Sequence, residues 1–352
     1  MLAIKIGEKY VGQNHPVYIV AEAGSNHNRN FQQALKLIDA AVEARADAVK
    51  FQLFKAKKMY PRGARTAEYL TKYYKNIHDL VKSMEMPREW LGKLVKCCAN
   101  KKIDFLCTPF DNNSADLLEK FNVSAYKIGS SECNHLPLIE HIAKKDKPII
   151  LSTGISKLGE IEEAVDLIRK YHDKIILMHT IVNYPAAIED TNLLYVKYLE
   201  NIFGCPAGLS DHSIDPIILP VAMAALGGKI IEKHFTLDKN LPGPDHKFAL
   251  EPSELKTMIA AIRVTESALR FRQNKILESE KEFVEVSKRA IQATRRIKRD
   301  EKLTRLNMEI LRPGKGLAKG LEPKYYDTIL GKRVNGNIAE GEGIQWKYLL
   351  NK

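Results

Sequence analysis

One unit recurs along the chain. A short apolar run rich in β-branched residues ends in a polar tip, and a stretch with apolar positions three and four apart follows. Continuous apolar runs of roughly 4–8 residues suit strands buried on both faces, and the longer spacing suits amphipathic helices. The runs are YIVAEAG (18–24), DAVKFQ (47–52), DFLCTPF (104–110), AYKIGSSE (125–132), PIILSTG (148–154), KIILMHT (174–180), PAGLSDHS (206–213) and KIIEKHFT (229–236). Between them lie helical patterns. FQQALKLIDAAVEA (31–44) and LGEIEEAVDLIRKY (158–171) carry the spacing, NNSADLLEKF (112–121) opens on capping residues, and DPIILPVAMAALG (215–227) stops on glycine.

Apolar strands alternating with helices predict an α/β fold with a parallel sheet covered by helices. Eight such units within roughly 240 residues predict a (β/α)8 TIM barrel. A doubly wound open sheet is the alternative, but no GxGxxG follows the first strand. A barrel gathers its chemistry at the C-terminal ends of its strands. The polar tips there are Glu22 with Asn26 and His27; Lys50 and Gln52; Thr108; Lys127, Ser130 and Glu132; Ser152 and Thr153; His179; Ser210, Asp211 and His212; and Lys233 and His234. Any one of these suits a cap or a solvated group, but converging strand ends do not need so many.

After residue 270 the pattern changes. The barrel is expected over 1–270, a charged linker over 271–285, and a small domain of short strands and glycine turns over 286–352, with one short helix near EPKYYDTIL. Such a domain is marginal alone and is expected to pack on something.

Composition narrows the class. The chain has 352 residues, 45% hydrophobic and 28% charged, which is ordinary for globular proteins. No apolar run approaches the roughly 18 residues of a membrane span. The start, MLAIKIGEKY, has no cleavable apolar region, and the five cysteines form no CxxC pair. A cytoplasmic protein with reduced thiols, independent of membranes, is the expectation. The formal net charge is +12, but the basic residues are spread through the chain without a zinc-finger, leucine-zipper or RNA-recognition pattern. An anionic small molecule or a solvated surface accounts for the charge without nucleic acid.

The strand ends carry a family likeness. IVAEAGSNHN, DAVKFQ, TPF, YKIGSSECNHLPLI, PIILSTGISKLGEI, NYPAAIEDTNL, GLSDHS, GGKIIEKHFTLDKNLPGPDHKFALEP and RPGKG run in order through nearly the whole barrel and into the tail. With them the chain resembles the sialic acid synthases, which condense phosphoenolpyruvate with an N-acylated hexosamine. The resemblance implies a TIM barrel followed by an antifreeze-like (SAF) domain, in a domain-swapped homodimer. It implies that His212 and His234 hold a divalent metal, Mn2+ or Mg2+, with Glu22 nearby. It places Lys50, Thr108, Lys127, Ser130, Ser152, Asn183 and Ser210 on phosphoenolpyruvate, and Gln52, Tyr184, Glu132 and Asp245 toward the acceptor sugar. It also implies that Arg312 reaches into the partner's site. The implied product is N-acetylneuraminate from N-acetylmannosamine; a legionaminate, pseudaminate or 9-phosphate product is the alternative.

The residue types suit those roles. Neutral imidazoles bind such ions and leave positions open for water and substrate oxygens. Two lysines and several hydroxyls suit a multiply charged anion, and Glu132, Glu22, Lys50 and Lys127 are the expected catalytic set, with Glu132 moving a proton. His246 is expected to support the site rather than bind metal, and His27 to hold the loop after the first strand or contact phosphate. Departures from the family pattern are Arg29 in NHNR where glycine is usual, HTIVNYP at the sixth strand end, and the loop KAKKMYPRGARTAEYLTKYYKNIHDL after strand two. The rivals are another metal-dependent barrel enzyme and a non-enzymatic carbohydrate- or nucleic-acid-binding module.

Overall fold

The computed structural model describes residues 3–66, 76–271, 273 and 276–349. The chain divides into two compact units, Met1–Arg270 and Phe271–Lys352.

The first unit is a TIM barrel. Its strands are β1 (Tyr18–Gly24), β2 (Ala48–Leu53), β3 (Asp104–Pro109), β4 (Tyr126–Ile128), β5 (Ile149–Ser152), β6 (Ile175–Thr180), β7 (Ala207–Asp211) and β8 (Ile230–His234). All eight are parallel; β1 pairs with both β2 and β8, and β3 lies beside β4 to close the ring. One helix follows each strand toward the next: α1 (Phe31–Glu43), α2 (Leu91–Asn100), α3 (Asn112–Lys120), α4 (Leu136–Ala143), α5 (Leu158–Arg169), α6 (Tyr195–Phe203), α7 (Ile218–Ala225) and α8 (Pro252–Ala268). The helices bury an apolar stripe on the outer face of the sheet. Leu37 and Ile38 of α1 and Ile161, Val165 and Ile168 of α5 join Ile19, Phe51 and Leu151 in one continuous core. Local sequence sets the ends. Asn30 caps α1 by accepting the Gln32 and Gln33 N–H groups, and Glu251 with Glu254 forms a capping box on α8.

The lower half of the barrel interior is apolar. Val20, Ala48, Leu106, Ile150, Ile176 and Ile230 meet there with Ile4, Ile6 and Val11 of an N-terminal hairpin, Ile4–Ile6 paired with Lys9–Val11. The hairpin thus plugs the floor. Its alternating IKI and KYV strands are too short to stand out as a pattern.

The second unit contains the SAF domain. Ala290–Ala293 pairs antiparallel with Met308–Leu311 over a core of Ile291, Ile297, Leu303, Met308, Ile329, Val334, Ile338 and Ile344. Lys281–Ser287, partly within the stretch expected as linker, is a short helix with no buried residue. Among the described residues, no helix is long and apolar enough to cross a membrane.

Candidate functional site

Alternate residues of a barrel strand face inward. At the C-terminal ends the inward set is Glu22, Lys50 and Gln52, Thr108, Lys127, Ser152, Thr180, Ser210 and His212, and Glu232 and His234. Together with Ser130, Glu132, Tyr184 and Asp245 from the following segments, these residues line one cavity of about 240 Å3. Its outer wall is apolar, from Phe54, Met59, Val81, Met84, Phe110 and Val182. The cavity therefore has a charged floor and a greasy rim.

The floor is a closed ion-pair network. Lys127 Nζ donates to Glu232 Oε2 at 2.7 Å. Lys50 Nζ lies 2.9 Å from Glu22 Oε2 and 3.4 Å from Glu232 Oε1, and donates to Thr108 at 3.1 Å. Gln52 donates to the other Glu22 oxygen at 2.9 Å, and Ser210 to Glu232 at 3.3 Å. None of the four charged residues is more than 4% exposed. Burying charges is costly unless they are paired, and each of the four faces an opposite charge. Burial opposes the Glu232 charge, but Lys127 and Lys50 outweigh it and hold the carboxyl down at about 2. Burial likewise opposes the Lys50 ammonium, and Glu22 and Glu232 outweigh that effect and raise its pKa. Burial dominates at Lys127, which is lowered despite Glu232. Glu22 is raised by burial and then by repulsion from Glu232.

Two imidazoles stand on adjacent strands at one side. The His212 and His234 ring centroids are 5.4 Å apart, and Tyr184 stacks on His212 at 4.2 Å. His212 Nδ1 is hydrogen-bonded to the Ile181 carbonyl at 2.7 Å, which leaves Nε2 with a free lone pair. His234 Nδ1 is buried, has no hydrogen-bond partner, and lies 3.9 Å from Asp245 Oδ2. Burial lowers His212 to about 4; burial, then His212, drives His234 well below its usual value. Both rings are neutral at physiological pH. Two neutral imidazoles set edge-to-face at 70°, with an orphaned nitrogen on His234, fit a divalent cation as donors. Among the described residues no cluster of three or more His, Cys, Asp or Glu side chains forms a complete cage, so water or substrate oxygens would complete the coordination.

Glu132 and Asp245 flank the upper cavity. Burial alone pushes Glu132 up to about 7, and its Oε2 has no partner. Burial, then Glu22, brings Asp245 to about 7. Gly129 makes room for the Glu132 carboxyl: a Cβ at that position would lie 2.7 Å from Oε2.

Not every expected residue joins them. Asn183 is exposed and does not line the cavity; its side-chain oxygen turns back to accept the Tyr184 N–H at 3.1 Å. His179 and Lys233 are strand-end residues of the wrong parity and point outward. His179 Nε2 bonds the Thr191 carbonyl at 2.6 Å. Lys233 donates to Asp211 Oδ2 at 2.6 Å, to the Ser213 carbonyl at 2.5 Å and to the Asp215 carbonyl at 3.1 Å. His27 is buried against Trp90 and accepts the Arg29 N–H, outside the cavity. His246 bonds Thr236 at 2.6 Å and Asn28 at 3.1 Å, tying the segment after β8 to that after β1. Arg29 has φ +54°, the left-handed conformation that glycine adopts freely. Arg312 is exposed in the second unit. Part of the loop after strand two, residues 67–75, lies outside the described residues. Glu232 was not among the expected residues, although it sits at the centre of the network. Counting back two from His234 along the pleat finds it.

Fold and site together define a barrel enzyme with a buried ion-pair floor and a paired-imidazole corner. The chain matches the NeuB family over residues 37–274 and the SAF domain over 288–350. It is 41% identical to the spore coat polysaccharide biosynthesis protein SpsE of Bacillus subtilis, over 100% of this chain and 98% of that protein. It is 39% identical to the N,N'-diacetyllegionaminic acid synthase of Campylobacter jejuni, over 93% of this chain and 98% of that one. The crystal structure of N-acetylneuraminic acid synthetase from Leptospira borgpetersenii in complex with citrate aligns at TM-score 0.71 and 32% identity, over 81% of this chain and 95% of that one. The chain belongs to the NeuB family of sialic-acid-type synthases.

Proposed function

We propose that this protein condenses phosphoenolpyruvate with an N-acylated hexosamine, such as N-acetylmannosamine, to give a nonulosonic acid and inorganic phosphate. The observation that carries the reading is the floor: two buried lysines that share one cavity with Thr108, Ser130, Ser152 and Ser210 and with a pair of neutral imidazoles. Charge-assisted donors of this kind suit a compact, multiply charged anion. Lys50 and Lys127 hold its phosphate and carboxylate, with the hydroxyls as further donors. Glu232 keeps both lysines charged. Gln52, Tyr184 and Asp245 position the acceptor, and Asn183 acts by fixing Tyr184 rather than by touching substrate. Carbon three of the enol bonds to the sugar aldehyde carbon, water adds at carbon two, and phosphate leaves by C–O cleavage. Glu132, poised near neutrality, takes or gives the proton on water or sugar. His212 and His234 would hold Mn2+ or Mg2+, which would polarise the aldehyde oxygen as a Lewis acid.

The rim favours a second acceptor of the same kind, a diacetamido-trideoxy hexose giving a legionaminate- or pseudaminate-type product. Its apolar residues suit a methyl group better than a hydroxyl. The legionaminic acid synthase likeness supports the same reading. A phosphorylated acceptor is disfavoured, because Lys50 and Lys127 are the only cations among the described lining residues other than the neutral histidines.

We also propose a homodimer in which Arg312 completes the partner's cavity. Leu194, Tyr198 and Ile202, exposed at four-residue spacing along α6, offer an apolar face to a second copy. Mixing inactive R312A and E132Q chains should restore activity, since a mixed dimer holds one complete site; two preparations that stay inactive after exchange would refute action in trans.

The deciding assay is phosphate release from phosphoenolpyruvate with N-acetylmannosamine, its 6-phosphate or a diacetamido sugar, with and without chelator. Release that needs one sugar and is lost on chelation supports the proposal. No release with any sugar rejects it.

A further inference from the structure

The segment after β2 builds a second cavity on its other side. Two short helices, Ala56–Met59 and Ile77–Met84, cross the barrel mouth. Met59, Val81 and Met84 face the catalytic cavity. The opposite side carries Lys57, Lys58 and Lys82, and together with Lys55, Arg62 and Arg88 these residues line a separate cavity of about 530 Å3. No residue lines both.

The charge there is unbalanced. Six cations share the cavity with two carboxylates, Glu85 and Asp111, leaving a surplus of four positive charges. Both carboxylates are already committed. Glu85 accepts from Lys55 Nζ at 2.7 Å and from the Ala56 N–H at 2.8 Å. Asp111 caps α3 through the Ser114 N–H at 2.9 Å and lies 3.7 Å from Arg88. Lys57, Lys58, Arg62 and Lys82 make no ion pair among the described residues, and the buried Arg88 Nε has no hydrogen-bond partner. Like charges crowded into one concavity repel, and a bound anion removes that cost. The described lining has no aromatic side chain except the buried His78, so it offers little stacking surface to a nucleobase. The cavity volume lies within the usual range for small-molecule sites.

We infer that this cavity is a binding site for a multiply charged phosphate anion, of the pyrophosphate or sugar-phosphate kind, separate from the catalytic cavity. The inference does not depend on the reaction proposed above. A ligand there sits across one helical layer from Met59, Val81 and Met84 and so touches the elements that wall the acceptor end.

The test is titration calorimetry of the full-length protein with inorganic pyrophosphate at fixed ionic strength. The comparison is with K58A/K82A, whose side chains are exposed and whose loss does not threaten the fold, and with S210A, altered only in the catalytic cavity. Saturable binding that weakens at least tenfold in K58A/K82A and persists in S210A is the expected result. No saturable binding, equal binding in wild type and K58A/K82A, or loss in S210A alone would overturn the inference. So would steeply salt-dependent binding of a DNA duplex with no saturable pyrophosphate binding, which would mark a general polyelectrolyte surface.

Discussion

The two ends of the barrel use the same kinds of residues to opposite effect. At the lower end Asp47 and Tyr18 are held by ion pairs and hydrogen bonds. Asp47 accepts from Lys9 at 2.7 Å, from the Ile19 N–H at 2.8 Å and from Arg263 at 3.0 Å. Tyr18 donates to Asp104 at 2.7 Å. Below the sheet a hairpin seals the core with Ile4, Ile6 and Val11. At the upper end Glu132 and His234 keep buried atoms without partners, and four charges share one network. A satisfied group stabilises; an unsatisfied buried group costs stability and stays available to a ligand. The lower end holds the barrel shut, and the upper end keeps the strain that binding can relieve.

The comparison can be broken most forcefully at Glu232. E232L leaves Lys50 and Lys127 without their shared counter-charge, and removing one member of a buried pair costs about 3–5 kcal/mol. Turnover should vanish and the denaturation midpoint should fall; a variant as stable as wild type would show that the network is not what keeps the lysines charged.

Glu132 should behave in the opposite way. E132Q should lower turnover by about 10²–10⁴-fold and yet stabilise the protein above neutral pH. Between the ordinary carboxyl value of 4.5 and about 7, the folded chain keeps a proton that the unfolded chain has released. Raising pH across that window therefore lowers wild-type stability, by up to about 3 kcal/mol in all. The Gln variant lacks this contribution, so the loss of stability between pH 5 and pH 8 should be smaller for it than for wild type. An equal loss in both would show that the Glu132 carboxyl is not held protonated.

A gentler change is G129A, which drives a methyl group into the Glu132 carboxyl. About a tenfold loss of kcat with little change in the Tm is expected; unaltered kcat would mean that the placement of Glu132 is not critical. The smallest effect belongs to the lower end. Y18F should cost about 1 kcal/mol, because it strands the half-buried Asp104 oxygen, while kcat/KM stays at the wild-type value. A loss of kcat/KM larger than the loss of stability would dissolve the division between the two ends.

Much of the barrel is visible in the sequence. All eight strands match their predicted runs to within two residues at each end, save AYKIGSSE, where Gly129 ends the strand and Ser130–Glu132 turns into a short 3-10 helix. The hydrophobic run is strong evidence where a strand is buried on both faces, but that same burial hides which residues face inward. Lys233 and His179 therefore read as members of the cup, and Glu232 does not. The helices Ile77–Met84, Leu91–Asn100, Leu136–Ala143, Tyr195–Phe203 and Pro252–Ala268 are not among the helical patterns read from the sequence, although Ile77, Leu80, Val81 and Met84 carry the three-and-four spacing of a helix. The short hairpin at the floor carries too few residues for any period. The ion-pair partners within the site belong to strands distant in sequence, and only closure of the ring brings them together.

Lys233 has a consequence for how the two imidazoles respond to anything that binds between them. Its ammonium staples the 211–215 segment, which bears His212, to the strand that bears His234. The two rings thus belong to one braced frame, like the arms of a rigid chelator. A ligand gripped by both meets donors whose spacing is already set, so little ordering entropy is lost on capture. Cutting the staple, as in K233M, would leave each imidazole's chemistry intact and loosen the spacing between the two rings.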